Sequence, residues 1–298
     1  MIFIIKTILK YFFHYIYNTT MIVGNIMGGL GNQLFQIFAT IAYSIEHKQQ
    51  FIFPREFHAG VTKRHPYWDS FLTPLKIFTA FQFPQMDMLR EKGFEYSEIP
   101  AISKDENRIL YGYFQSHKYF ERYYDSICRM IGLEEQKIQV QLRHPNNYMF
   151  MISMHFRLGD YKQLQHCHPV LPYEYYRNSL QYIINATFKD NWDVLFFCEK
   201  DDNTEVFATI DKLRSDFPNL KFLKQDDSVE DWKQMLMMSV CTHNIIANSS
   251  FSWWGAYFNY NPSKIVCYPE QWFGPNLREI NNTKDLFPDR WTKISCYL

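Results

Sequence analysis

Met21-Ile22-Val23-Gly24-Asn25-Ile26-Met27-Gly28-Gly29-Leu30-Gly31-Asn32-Gln33 is the stretch that sets the fold class of this 298-residue chain. Residues 21–26 are a short β-rich run, and Gly28, Gly29 and Gly31 mark a turn. A helical pattern follows, with Leu34, Phe38, Ile41 and Ile45 on one face. A strand, a glycine turn and a helix in succession open an α/β unit. Glycines in such a turn permit positive φ and a close approach of backbone to a ligand. Asn32 and Gln33 add amide donors at the helix start. The competing reading is a tight structural turn. The stretch matches neither a Gly-x-Gly-x-x-Gly fingerprint nor a phosphate loop ending in Gly-Lys-Ser/Thr.

Outward from this unit, residues 49–98 are irregular and punctuated by Pro54, Pro66, Pro74 and Pro84, so loops and short helices are expected. A strand over 109–114 and a helix over 117–131 follow. Pro145-Asn146-Asn147 reads as a turn and as the domain boundary, giving an N-terminal domain at 21–147 and a C-terminal one at 148–298. In the second half, apolar runs at 148–154, 194–198, 222–223, 244–247 and 265–268 alternate with helical patterns. Those helices are expected at 173–184, 204–214 and 229–240, with a shorter one after Ser252. Ser228 followed by Asp231 resembles a capping box. Short strands alternating with helices indicate a parallel sheet. The expected class is α/β, with two doubly wound halves and a cleft between them.

Three segments of unusual composition fall just past the carboxyl end of an expected strand, where open parallel sheets bind ligands. The first is residues 28–33. The second is His155-Phe156-Arg157-Leu158-Gly159-Asp160-Tyr161, in which strand alternation puts His155 and Arg157 on one face. A guanidinium at a strand end suits bidentate contact with phosphate oxygens. Asp160 could orient that arginine, bind a hydroxyl or act as a base. The third is Asn248-Ser249-Ser250-Phe251-Ser252-Trp253-Trp254-Gly255-Ala256, small hydroxyl residues opening a helix. Backbone N–H groups and serine hydroxyls there suit an anion. The paired tryptophans could stack on a sugar or base, or belong to the core.

Composition excludes several alternatives. Thirty-one Lys and Arg balance 31 Asp and Glu, so no basic field favours nucleic acid. Apolar residues at 47% and charged ones at 21% suit a packed core. The six cysteines form no Cys-x-x-Cys pair, which leaves scattered thiols as the expectation. Four Asn-x-Ser/Thr sequons, at Asn18, Asn185, Asn248 and Asn281, do not establish secretion in a chain rich in asparagine. There is no Gly-x-Ser-x-Gly elbow, no His-Glu-x-x-His pair and no Asp-x-Asp. Arginine with a helix N-terminus can replace a divalent ion at a departing diphosphate. That chemistry is transfer from a nucleotide-activated donor.

Residues 1–17 are apolar but interrupted by Lys6, Lys10 and His14, with Asn18 continuing the four-residue spacing. The 1–20 extension reads as an interfacial helix on a membrane surface, an inert extension, a short signal anchor, or sequence ahead of a start at Met21. Membrane-associated and cytoplasmic locations both stay open.

At these motifs the chain resembles the α-1,2-fucosyltransferase family, glycosyltransferase family 11. Residues 28–36 are similar to its Gly-Gly-Leu-Gly-Asn-Gln-Leu/Met-Phe-Gln, residues 155–161 to its His-x-Arg-Arg-Gly-Asp-Tyr, and residues 249–256 to its Ser-x-Phe-Ser-Trp-Trp-x-Ala. Gly112-Tyr113-Phe114-Gln115-Ser116 is a secondary likeness. The resemblance implies a GT-B-like architecture, two Rossmann-like domains closing on GDP-fucose. It also implies inverting transfer of L-fucose to the 2-hydroxyl of a galactose-containing glycan, with no metal required. Arg157 would hold the diphosphate, and His155, Ser249, Ser250, Phe251 and Ser252 would help bind the nucleotide. Gly29, Gly31, Asn32 and Gln33 would face the donor from the first domain. Asn32 and Asp160 join Arg157 as expected catalytic residues. Two departures stand out: Leu158 replaces the second arginine, and Cys198-Glu199-Lys200-Asp201-Asp202 replaces a Ser-Asp-Asp that could read guanine. A related transferase with another donor or acceptor, or a glycan-binding protein on the same fold, are the alternatives.

Overall fold

The computed structural model describes residues 20–56, 65–103 and 106–297. The segment expected to form an extension or membrane-surface helix, through residue 19, lies outside them. The chain divides into two compact units between Gly132 and Leu133.

In the first unit, β1 (Met21–Gly24) leads into α1 (Leu30–His47), followed by β2 (Gln50–Pro54), β3 (Thr79–Ala80), β4 (Asp87–Arg90), β5 (Arg108–Tyr111) and α2 (Tyr124–Met130). The strands lie parallel in the order β3-β2-β1-β5-β4. β1 is buried along its whole length, with Ile22 opposite Phe51 and Val23 opposite Ile109. Residues 49–98 are therefore not only loops and short helices, since they carry β2, β3 and β4. β3 is two residues long and β4 is mostly exposed, so neither shows an apolar alternation. Backbone pairing to a neighbour makes them strands. The single helix expected over 117–131 is two 3-10 turns, His117–Tyr119 and Glu121–Tyr123, ahead of the shorter α2.

The second unit opens with α3 (Leu133–Arg143) and continues through β6 (Met151–His155), α4 (Tyr173–Thr187), β7 (Asp193–Phe197), α5 (Asn203–Asp216) and β8 (Lys221–Lys224). It closes with α6 (Asp231–Val240), β9 (His243–Ile245), α7 (Ser250–Tyr257), β10 (Val266–Pro269) and β11 (Thr292–Ile294). Its strands are parallel in the order β11-β10-β9-β6-β7-β8, one more than the expected five. The boundary precedes the Pro145 turn because α3 belongs to this unit, where Lys137 Nζ donates to Phe258 O at 2.6 Å. The capping box at Ser228 does not form: Glu230 is the N-cap of α6, and Ser228 N instead donates to Asp226 Oδ1. None of the six cysteines is in a disulfide.

The core of the second unit sets β6 and β7 residues Ile152, Met154, Val194 and Phe196 against Tyr175, Tyr176, Leu180 and Ile183 of α4. Tyr175, fully buried, keeps its hydroxyl bonded to Ile246 O at 2.5 Å and Cys267 O at 3.1 Å, as a buried phenol requires. The chain thus adopts the α/β class, with two Rossmann-like doubly wound units of the GT-B-like kind. In each, strand order reverses beside the first strand, between β1 and β5 and between β6 and β9. A crevice opens at such a switch point, outside the carboxyl ends of the strands.

Beneath the second switch point, fully buried Asn244 of β9 donates to Ser153 Oγ at 2.7 Å and Met238 O at 2.8 Å. Its Oδ1 accepts from Asn259 Nδ2 at 2.8 Å. Asn244→Ala strands these buried partners and is expected to cost about 3 kcal/mol. Urea unfolding should show a lower midpoint at unchanged slope.

Candidate active site

At the second switch point, the loops leaving β6 and β9 carry the second and third sequence motifs. His155 ends β6, is 8% exposed, and lies 5.5 Å ring to ring from Phe251 of α7. Its Nδ1 has no hydrogen-bond partner. Burial, with Arg157 adding, pushes its pKa down to about 3, so the imidazole is neutral. Two residues on, Arg157 donates Nη2 to Asp160 Oδ1 at 2.5 Å and Nη1 to Glu199 Oε1. Its guanidinium sits 5.1 Å over the Tyr161 ring. Burial opposes the Arg157 charge, but Glu199 and Asp160 outweigh it and its pKa stands above the ordinary guanidinium value. Leu158 joins the hydrophobic core with Phe156, so the position where the family has a second arginine is turned inward here.

The turn after Arg157 depends on backbone geometry. Gly159 has φ +41, and a Cβ there would meet Glu199 Oε2 at 3.0 Å. Its N–H donates to Asp202 Oδ2 at 2.8 Å, while Asp202 Oδ1 pairs with Lys162 Nζ at 2.9 Å. Asp202 is 2% exposed, so both its oxygens serve the turn. Of the acids in residues 199–202, Glu199 engages the arginine and Asp202 holds the loop that presents it.

The loop from β9 meets the same turn through Tyr161, whose hydroxyl donates to Asn248 O at 3.2 Å. The Tyr161 ring stacks on His168 at 4.9 Å, and burial raises the Tyr161 pKa and lowers that of His168. Asn248 is buried, with Nδ2 donating to Pro169 O and Trp272 O and Oδ1 without a partner. Ser249 caps α7, its Oγ accepting from Phe251 N at 3.3 Å. Ser250 and Phe251 are half-buried in the first turn of α7. Ser252 is buried and its hydroxyl accepts from Ala247 N, so it closes the turn from inside. Trp253 and Trp254 are both fully buried, and neither offers a face for stacking on a ligand. The groups left at this edge with donors that suit an anion are the first turn of α7 and the Arg157 guanidinium.

The first motif lies at the switch point of the other unit. Gly28 has φ +79, and a Cβ there would stand 2.7 Å from Asn32 Nδ2. Gly29 is the N-cap of α1, and Gly31 and Asn32 lie in its first turn. Gln33 is buried, with Nε2 donating to Gly28 O at 3.0 Å and Oε1 without a partner, so its donors brace the turn. Asn32 Oδ1 accepts from Gln115 Nε2, in the loop after β5, at 2.8 Å. Glu199, Tyr161, Asn248 and Gln115 are the site residues that sequence reasoning did not assign. Each lay in a stretch the sequence had singled out, Tyr161 and Asn248 in the second and third motifs, Glu199 in the acidic segment and Gln115 in the secondary likeness at 112–116, but no individual role was readable there. Among the described residues, no group of three or more His, Cys, Asp or Glu side chains is placed to hold a metal ion. Nor is any helix among them long and apolar enough to cross a membrane.

A family model described as Glycosyl transferase family 11 matches residues 25–295. An alpha-1,2-colitosyltransferase of Escherichia coli is 27% identical, the match covering 92% of this chain and 99% of that protein. The O-antigen biosynthesis glycosyltransferase WbnK of Escherichia coli is 29% identical over 68% of this chain and 66% of its own length. Among solved structures, an Arabidopsis thaliana FUT1 mutant in complex with GDP is similar at 11% identity and a TM-score of 0.47. That likeness covers 87% of this chain and 72% of that one.

The neutral, buried His155 has a consequence for acid stability. An unfolded histidine protonates near pH 6.5, and the folded one only near pH 3. Between those values the unfolded chain binds the extra proton, so this contribution is present above about pH 6.5 and is lost as pH falls toward 3. His155→Gln should therefore show a shallower loss of stability than the parent between pH 7 and pH 4. Urea midpoints across that range test it, and parallel curves would mean that His155 is hydrated.

Proposed function

The chain belongs to glycosyltransferase family 11, and on that premise we propose that it transfers L-fucose from GDP-fucose to the 2-hydroxyl of a terminal galactose-type glycan. That it is a sugar-nucleotide glycosyltransferase follows from the family match over residues 25–295. The observation that supports a diphosphate-activated donor is the joining of Arg157, through Tyr161, to the loop that opens α7 at one switch point. Such an arrangement suits a diphosphate, with guanidinium donors on one loop and backbone N–H groups at a helix start on the other.

In this mechanism the acceptor oxygen forms a bond to the anomeric carbon as the bond from that carbon to the β-phosphate oxygen breaks. Inversion follows from attack opposite the leaving group. Negative charge grows on the departing GDP, and Arg157 and the start of α7 stabilise it more strongly than in the bound substrate. These groups supply the charge that a divalent cation provides elsewhere, so turnover is proposed to need no metal. Glu199 and Asp160 hold the guanidinium in place, and the diphosphate competes with them for its N–H edges. Asp160, half-exposed, takes the acceptor proton; water suffices where bond breaking runs far ahead of bond making. His155, neutral, backs the nucleotide pocket beside Phe251 without adding charge.

A second reading keeps the mechanism and changes the sugar. The colitosyltransferase relative, matched over 99% of its length, favours a donor carrying colitose, which is L-fucose without its 3-hydroxyl. The two donors place the same demand on Arg157.

The test is GDP release from GDP-fucose and from a GDP-linked colitosyl donor, with β-galactosides as acceptors and the product linkage assigned by NMR. Release should persist in EDTA. Arg157→Ala should lower kcat by roughly 10²–10³ without unfolding the protein. Undiminished turnover in that variant would remove Arg157 from the mechanism.

A further inference from the structure

The first unit carries an arrangement that the diphosphate site does not use. Its switch point lies between β1 and β5, and the loops leaving those two strands meet where Gln115 Nε2 donates to Asn32 Oδ1 at 2.8 Å. We propose that Gln115 is a positioning residue for the transfer reaction, fixing the Asn32 carboxamide with its Nδ2 edge as the donor edge. Glu91 in turn holds the loop that carries Gln115. The proposal rests on the transferase reading above, taken together with the sequence expectation that Asn32 contacts substrate.

Each part of the relay has a physical cause. Glu91 directly follows β4, and its N–H continues the ladder to β5 by donating to Tyr111 O at 2.9 Å. Its carboxylate accepts from Tyr113 N at 2.7 Å and from Phe114 N at 3.0 Å. Two backbone donors on one carboxylate lock the turn in both position and direction. Gly112 makes room for this, since a Cβ there would stand 2.4 Å from Glu91 Cβ. Phe114 has φ +51, a left-handed conformation that a phenylalanine adopts only when its surroundings impose it. Those surroundings are the Glu91 carboxylate and burial of its ring edge-on against Tyr119 at 5.3 Å. On the far side, Ser116 N donates to Phe114 O at 2.8 Å. Gln115 thus projects from a backbone restrained on both sides.

At the receiving end, the space above Gly28 is filled by the Asn32 amide, which approaches a hypothetical Gly28 Cβ at 2.7 Å. With Oδ1 accepting from Gln115, the donor edge of the Asn32 amide is Nδ2. An amide that a substrate hydroxyl or ring oxygen must find as a donor gains from this, because a rotated amide offers an acceptor instead. Glu91 is acidic, but it acts through two backbone contacts and has no part in proton transfer here.

The experiment is a double-mutant cycle on turnover with GDP-fucose and a galactoside. Gln115→Ala and Asn32→Ala should each lower kcat by about tenfold or more, with the donor KM within about twofold of the parent. The double variant should be no slower than Asn32→Ala alone, because Gln115 acts only through Asn32. Gln115→Glu is the decisive variant. Its carboxylate accepts but cannot donate, so it turns the Asn32 nitrogen inward and should match Asn32→Ala while thermal unfolding stays unchanged. Losses that multiply in the double variant, or full activity in Gln115→Glu, overturn the proposal and leave the transferase reading standing. A parent protein that transfers no sugar from any GDP- or UDP-sugar overturns both.

Discussion

A guanidinium at a sheet edge, mostly shielded from water, has to be neutralised, and Arg157 meets that requirement with Asp160 from its own turn and Glu199 from the end of the next strand. The rest of the site is organised around this ion triad. Gly159 takes a positive φ so that its N–H can reach Asp202 and its bare Cα can clear Glu199. Tyr161 lies under the guanidinium and ties the turn to Asn248. Removing Arg157 would leave two carboxylates facing each other, and removing either carboxylate would loosen an arginine whose value depends on being held still. On the proposed function, the same anionic pair makes the arginine a competitive site, since a diphosphate would have to offer more than the carboxylates it replaces.

The two units solve one problem with different residues. In each, a strand-order reversal opens a crevice, and two loops distant in sequence meet across it. The second unit fills its crevice with charge and a helix start, which suits an anion. The first fills its own with amides, Asn32 and Gln115 above a glycine turn, which suits hydroxyl groups. In both, a loop of the crevice is held by a carboxylate that accepts from the main chain, Asp202 from Gly159 in one case and Glu91 from Tyr113 and Phe114 in the other. A carboxylate accepting from main-chain donors fixes a loop without adding a flexible side-chain link.

The motif residues were readable because their signals are local. Glycine at a positive φ, apolar residues at helical spacing, and a serine one residue ahead of a helix are properties of a few neighbouring positions. Residues 49–98 were opaque for the opposite reason. β3 and β4 are short or exposed, and become strands through hydrogen bonds to β2 and β5 rather than through their own pattern. Trp253 and Trp254 stayed open between two readings for a similar reason, as paired aromatics suit a ligand-stacking surface and a core equally well. Their burial was settled by packing against Tyr257, Phe258 and Trp291. The domain boundary shifted because α3, although it precedes the proline turn, finds its partners in the second unit.

From the chain alone came the α/β class, the two doubly wound halves, and the three motif-bearing loops just past strand ends, because periodicity and turn chemistry act over distances of a few residues. Only the tertiary structure decided strand order, which places β6 beside β9 and β1 beside β5 and so makes the loops meet in pairs. It also divided the acids of residues 199–202, giving Glu199 to the arginine and Asp202 to the backbone. Those outcomes depend on hydrogen bonds between segments dozens of residues apart. No local pattern encodes which of several identical carboxylates will arrive within reach of a given donor.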